Sequence, residues 1–272
     1  MGAAIRIGAV NYLNSKPLIY DLEKLAPSAT LTLDLPSRLA DQLETGEIDV
    51  GLIPVIEYFR TGAYSVVPNI AIVSHGPVLS VTLFSRRPWK EIRKLALDVG
   101  SRTSAALARI LLWKRYGVEP EFAPLAVDRA SEDVDADAVL LIGDRAMRAC
   151  LPGFDHAYDL GAEWQEWTRL PFVYAFWAVR AGVDLGPVEE ALHKAKRRGR
   201  EEAGRIAQRE AAKLGLDAGY CRRYLTNIIH FDMGPGEQAG LHHYYMLACE
   251  LGLARRGVNL DYYRSRHLAK SG

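Results

Sequence analysis

The run Ile5-Arg6-Ile7-Gly8-Ala9-Val10-Asn11-Tyr12-Leu13-Asn14-Ser15-Lys16-Pro17-Leu18 constrains this chain more than any other stretch. An apolar strand passes directly into a polar turn with two asparagines, then into a helix with Pro17 in its first turn. Proline suits that place because first-turn N–H groups have no intrahelical partner and its φ is already helical. A strand joined to a helix in this way is the unit of an open α/β sheet. Ligands of such sheets sit beyond the carboxyl ends of the strands, against helix N-termini. Asn11 and Asn14 occupy that position. Their amides either orient a hydroxyl or carboxylate, or cap the helix and shape the turn.

The alternation continues along the chain. Residues 18–25 read as a helix and 30–35 as a strand. Residues 37–45 read as a helix capped by Ser37 and ended by Gly46, and 49–53 as a strand broken at Pro54. Such β-α-β-α order argues for a buried, parallel sheet. Residues 70–74 and 78–85 are strand-like, and the second run ends at Arg86-Arg87-Pro88, a break suited to a crossing. A second α/β series follows, with strands over 95–99, 121–125 and 138–142, an amphipathic helix over 103–116 and a helix over 145–150. Segment 161–170 is helical or irregular, and the apolar run 171–179 is a strand that serves as a return crossing. Helices account for most of 188–256. The expected layout is two α/β lobes around a central cleft, joined by two hinge crossings. Residues 1–85 and 180–272 form one lobe, and 86–179 are inserted as the other.

Composition narrows the function classes. A net charge of +1, from 34 basic and 33 acidic residues, gives no global attraction to nucleic acid or an anionic membrane. The flanking Glu189, Glu190, Glu201 and Glu202 make the basic run at 193–198 a solvated helix face. Three separated cysteines (Cys150, Cys221, Cys249) without a C-x-x-C pair argue for a reducing compartment and against a disulfide framework or zinc site. The longest apolar run is far below the ~20 residues of a membrane span, and no secretory leader is visible at the N-terminus. The expectation is a soluble, cytoplasmic protein.

Three further segments can carry chemistry. In Gly100-Ser101-Arg102-Thr103-Ser104 a strand ends and a long helix begins. One hydroxyl would suffice to cap it. Three point to a bound carboxylate or phosphate at the positive helix end, where Arg102 either adds a two-pronged contact or faces solvent. The segment has neither the Walker pattern nor the dinucleotide fingerprint. In Ile142-Gly143-Asp144, Asp144 holds a substrate hydroxyl, acts as a base, or caps the following helix. Ser80, near the first crossing, has no His beside it in sequence and is a poor triad nucleophile. His242-His243 show no metal-ligand spacing, so no metal is expected.

Taken together, NYLNSKPL, VLSVTLFSRRP, LDVGSRTSAALARILL, LLIGDRAM and GAEWQEWTRLPFVYAFWA resemble the MqnA family, the chorismate dehydratases of the futalosine route to menaquinone. The motifs run in order over nearly the whole chain. The related dihydroxynaphthoate synthases open with an Asp- and Pro-rich first turn instead, so NYLNSKPL favours the dehydratases. The resemblance implies a type II periplasmic-binding-protein-like fold and loss of water from chorismate to give 3-[(1-carboxyvinyl)oxy]benzoate, without a cofactor. It implies Asn14 and Ser80 as catalytic residues, and Ser101, Arg102, Thr103, Ser104 and Asp144 as substrate-binding residues. Apart from Lys16, the matched motifs contain no His or Lys suited to be a base. The expected proton acceptor is therefore the enolpyruvyl carboxylate of the substrate, with Asp144 the alternative. A non-catalytic small-carboxylate binder is the rival class, and monomer and homodimer both stay open.

Overall fold

A computed structural model describes residues 4–125 and 134–264. The chain first lays down β1 (Arg6–Val10), α1 (Leu22–Leu25), β2 (Thr30–Asp34), α2 (Pro36–Thr45), β3 (Val50–Pro54), α3 (Val55–Thr61) and β4 (Tyr64–Ser74). It then builds β5 (Val81–Ser85), β6 (Lys94–Asp98), α4 (Arg102–Ile110), β7 (Glu121–Leu125), β8 (Ala138–Ile142), α5 (Gly143–Arg148), β9 (His156–Asp159) and α6 (Leu160–Thr168). Finally it returns through β10 (Phe172–Arg180), α7 (Pro187–Glu201), α8 (Ala203–Leu214), α9 (Ala218–Arg223), β11 (Ile229–His230) and α10 (Pro235–Glu250).

Two sheets result. The six-stranded one runs β11-β4-β10-β3-β1-β2, and the five-stranded one β7-β6-β8-β5-β9. In the first, β1 lies parallel to β2 and β3, and β10 lies antiparallel between β3 and β4. In the second, β6 is parallel to β7 and β8, while β5 is antiparallel to β8 and β9. The sequence Phe-Val-Tyr-Ala-Phe-Trp-Ala-Val is unbroken by polar residues because β10 is a central strand, and every residue but Arg180 is buried.

The strands divide between the sheets at other points than the sequence suggests. β5, expected in the first lobe, is a strand of the second sheet, and β10, expected to close the inserted lobe, is a strand of the first. The chain passes between sheets at 75–80 and 169–171. The Arg86-Arg87-Pro88 turn lies inside the second lobe because its charges are spent there. Arg86 NH1 donates to Ala136 O at 2.6 Å and Arg87 Nε to Asp137 Oδ1 at 3.0 Å. The true break carries Gly76 at φ +133° and Leu79 at φ +60°.

Local elements differ in instructive ways. Residues 13–19 form a 3₁₀ segment with Pro17 inside it, and α1 begins only after Asp21, at φ +54°. Pro17 has no N–H to give, and a 3₁₀ turn tolerates that loss over a short stretch. Ser37 does not cap α2, whose first residue is Pro36, while Gly46 ends it at φ +77° as expected. The helix expected over 103–116 changes to a π turn at Leu111–Arg115. The short strand β9 was not expected. Among the described residues no helix is long and apolar enough to cross a membrane.

Candidate active site

The carboxyl ends of β1, β3 and β8 and the start of α4 converge on a cavity with about 530 Å³ of empty space between the sheets. From the first lobe come Val10, Tyr12, Asn14 and Pro54, with Tyr174 and Ala175 of β10. The second lobe contributes Val78, Ser80 and Val81 around the crossing, Ser101, Thr103 and Ser104 at α4, and Ile142 and Gly143 after β8. Asn14, Ser80 and the three hydroxyl residues therefore share one space.

The α4 end presents unpaired donors to the cavity. Its first helical bond is Ala105 N–H to Ser101 O at 3.0 Å, leaving the first-turn N–H groups without a partner in the helix. Ser101 is the N-cap residue but its side chain makes no capping hydrogen bond. Thr103 Oγ1 accepts from Ile56 N–H of the first lobe at 3.3 Å, leaving its own proton free to be donated. Unpaired donors at a positive helix terminus favour a carboxylate or phosphate.

Ser80 sits just before β5, and only 1% of it is exposed. Its backbone oxygen accepts from Gly143 N–H at 2.7 Å, and its Oγ accepts from the Tyr224 hydroxyl at 2.7 Å. The preceding Leu79 holds a left-handed φ that a branched side chain rarely adopts. Asp159 pins it there. This half-buried carboxylate accepts from Leu79 N–H at 2.6 Å and Val78 N–H at 2.9 Å, and caps α6 through Ala162 N–H at 3.0 Å. Burial raises the Asp159 pKa, against the pull of those N–H donors.

Asn14 is half-buried, yet its Oδ1 is fully enclosed and has no hydrogen-bond partner. Beside it the Tyr12 ring lies over Gly143, where a Cβ would come within 2.9 Å of the ring and where φ is +59°. Only glycine lets the two lobes approach so closely there. The Tyr174 hydroxyl hydrogen-bonds Ser74 Oγ at 3.0 Å. Tyr12 and Tyr174 are the only titratable groups among the described lining residues, and burial, the largest cause in both, holds their hydroxyls protonated.

Two of the expected site residues lie elsewhere. Arg102 points to the rim, where it joins Asp41 of α2 at 2.8 Å and Glu57 of α3 at 3.1 Å and so ties the lobes together. Asp144 is outside the cavity lining. Its Oδ1 accepts from Leu13 N–H at 2.9 Å, and it borders a separate hollow with Asn11, Lys16 and Glu210. Burial raises its pKa, partly offset by the Leu13 N–H. Ile142, not Asp144, is the N-cap residue of α5. Lys16 donates to Asn11 Oδ1 and also faces away from the cavity. Sequence reasoning missed Tyr12, Tyr174, Asp159 and Tyr224. An Asp directly before a helix is a recognisable cap signal for Asp159. The tyrosines carried no local signal. Among the described residues no group of three or more His, Cys, Asp or Glu is arranged to hold a metal ion.

A family model described as menaquinone biosynthesis matches residues 5–250. A chorismate dehydratase of Thermus thermophilus is 31% identical over 240 residues, which cover 81% of this chain and 87% of that protein. One of Campylobacter jejuni is 26% identical over 253 residues, covering 91% and 99%. The fold is similar to that of a protein from Archaeoglobus fulgidus, with a TM-score of 0.73 at 19% identity over 93% of this chain and 99% of that one. It is also similar to the periplasmic aliphatic sulphonate binding protein SsuA of Escherichia coli, with a TM-score of 0.65 at 16% identity over 97% and 93%. The architecture is thus periplasmic-binding-protein-like, two α/β lobes with a cleft between them.

Proposed function

This chain belongs to the menaquinone-biosynthesis family, and on that premise we propose that it removes water from chorismate to give 3-[(1-carboxyvinyl)oxy]benzoate. One observation carries the reading beyond the family. The cavity offers donors for carboxylates and a polar pair for a hydroxyl, but its described lining holds no His, Lys, Asp or Glu to act as a base.

Chorismate carries a ring carboxylate, a C4 hydroxyl and an enolpyruvyl ether at C3. Dehydration breaks the C3–H and C4–O bonds and forms the C3=C4 double bond that completes an aromatic ring. The ring carboxylate is conjugated to C3 through the C1=C2 double bond, so negative charge spreads onto it as the proton leaves. The Ser101–Ser104 helix start, binding that carboxylate, stabilises the charge more as it grows, and this lowers the barrier. The enolpyruvyl carboxylate lies next to C3 in the same molecule and takes the proton there, an intramolecular transfer with a high effective concentration. A lining without Arg or Lys suits this role, because a nearby cation would lower the basicity of that carboxylate. Asn14 and Ser80 hold the C4 hydroxyl, which departs and leaves with the C3 proton as water.

The reaction involves no net oxidation or reduction, and aromatisation drives it, so the reading calls for no cofactor. The free thiols of Cys150, Cys221 and Cys249 support a reducing, cytoplasmic setting. Incubation of the protein with chorismate tests the reading directly. Loss of the chorismate ultraviolet band together with product by mass spectrometry is expected. Stoichiometric binding without turnover would make the protein a carboxylate binder instead.

A further inference from the structure

Behind Asn14 and Ser80 stands a polar group that the mechanism has not used. Tyr224 opens the π turn Tyr224–Ile228 between α9 and β11, a rare geometry that recurs at functional sites. Only 1% of the residue is exposed. Its hydroxyl donates to Ser80 Oγ at 2.7 Å, and the Asn14 side chain lies close to the same hydroxyl.

The Tyr224–Ser80 bond fixes which way these two hydroxyls point their protons. Burial raises the Tyr224 pKa far above its ordinary value, so the phenol keeps its one hydrogen. With that hydrogen given to Ser80, the Ser80 O–H is free to be donated into the cavity. Asn14 Oδ1 is enclosed and has no hydrogen-bond partner in the protein, so it can only accept. An enclosed amide oxygen calls for a donor, which a substrate hydroxyl can supply. Tyr224 thus makes Ser80 the donor of the pair, with Asn14 Oδ1 as the acceptor beside it.

We infer that Tyr224 is a positioning residue that presets Ser80 as the donor to the C4 hydroxyl of the substrate, beside the Asn14 Oδ1 acceptor. The inference rests on the dehydratase reading. With both its carboxylates ionised, chorismate has one O–H group, the C4 hydroxyl. That group donates to Asn14 Oδ1 and accepts from Ser80, and both contacts hold the oxygen that departs when the C4–O bond breaks. As negative charge builds on the departing oxygen, the Ser80 donor strengthens because Tyr224 already polarises it, a cooperative chain of hydrogen bonds. The same chain would bind a neutral ground state only weakly better, so its effect falls on turnover.

The test compares kcat and KM for chorismate in wild type, Tyr224→Phe, Ser80→Ala and the double variant, with thermal unfolding of each. Tyr224→Phe should lower kcat about 30-fold, less than the ~100- to 1000-fold loss of a direct oxyanion donor, with KM within about two-fold. In the Ser80→Ala background the same change should cost less than about five-fold, because its main route is gone. Site-specific 3-fluorotyrosine at 224, which keeps the hydroxyl and the shape, should retain kcat within about three-fold of wild type. A folded Tyr224→Phe with wild-type kcat, equal losses with and without Ser80, or a fluorotyrosine protein as slow as Tyr224→Phe would each overturn the inference. A wild-type protein that leaves chorismate unchanged overturns the dehydratase reading itself, before any variant is compared.

Discussion

Asp144→Asn separates a protein base from a substrate base. Asp144 is buried, outside the cavity lining, and spends Oδ1 on the Leu13 N–H at 2.9 Å. Asparagine keeps an acceptor oxygen of the same shape. The change therefore replaces a charge-assisted hydrogen bond of about 1.5–3 kcal/mol by a neutral one of about 1 kcal/mol. The burial that raises the Asp144 pKa penalises the ionised form, and relief of that penalty offsets the weaker bond, so Tm should shift by less than about 4 °C. The turn bearing Asn14 stays hydrogen-bonded, so kcat should fall less than about ten-fold, which is 1.4 kcal/mol. Losing a general base costs about 10²- to 10⁴-fold. The assay is steady-state loss of chorismate with product quantified by mass spectrometry, alongside thermal unfolding. A kcat lower by 10³ or more, at unchanged KM and Tm, would refute the argument and make Asp144 the proton acceptor. The pH dependence adds a check. Burial raises the Asp144 pKa on folding, so its favourable contribution is present at low pH and lost as pH rises through the folded value. Asp144→Asn should remove that part of the decline.

Arg102→Ala should leave KM within about three-fold and cost about 0.5–1 kcal/mol of stability, since Arg102 pairs Asp41 and Glu57 at the rim. A KM more than 30-fold higher with unchanged kcat would return Arg102 to the substrate. Asp49 accepts from Arg6 Nε at 3.0 Å and from Arg180 NH2 at 2.8 Å, and the Arg6 contact chiefly holds its carboxyl well below the usual carboxylate range. That stability is present above the ordinary carboxylate pKa and lost as pH falls through the depressed value. Asp49→Asn should cost about 2 kcal/mol at neutral pH, flatten acid unfolding below about pH 4, and leave kcat unchanged. A Tm equal to wild type at pH 7 would show that the pair contributes nothing.

How much of this was legible in the sequence depended on range. Gly46 ends α2 because a left-handed residue is needed there, a requirement written in one residue. The apolar run of β10 announced a buried strand, but not which sheet it would join, because pairing with β3 and β4 is a property of distant residues. Ser37 had the chemistry of a cap, yet Pro36 took the first helical position and moved the boundary. At the site, Asn14, Ser80 and the α4 hydroxyls were visible because strand-to-helix turns have a local signature. Arg102 and Asp144 share those turns, but α2, α3 and the Leu13 N–H claimed them across the lobes. Tyr224 lies 144 residues from Ser80, and no local pattern could have joined them.

The claim that the substrate supplies its own base is tested most directly by one rate comparison. Chorismate and an analogue with its enolpyruvyl carboxylate replaced by a carboxamide are given to the wild-type protein, and dehydrated product is measured over time. The account predicts turnover of chorismate and loss of about 10³-fold or more for the amide, the scale of removing a positioned base. Equal rates for the two would contradict it, since the proton would then be taken by a group of the protein.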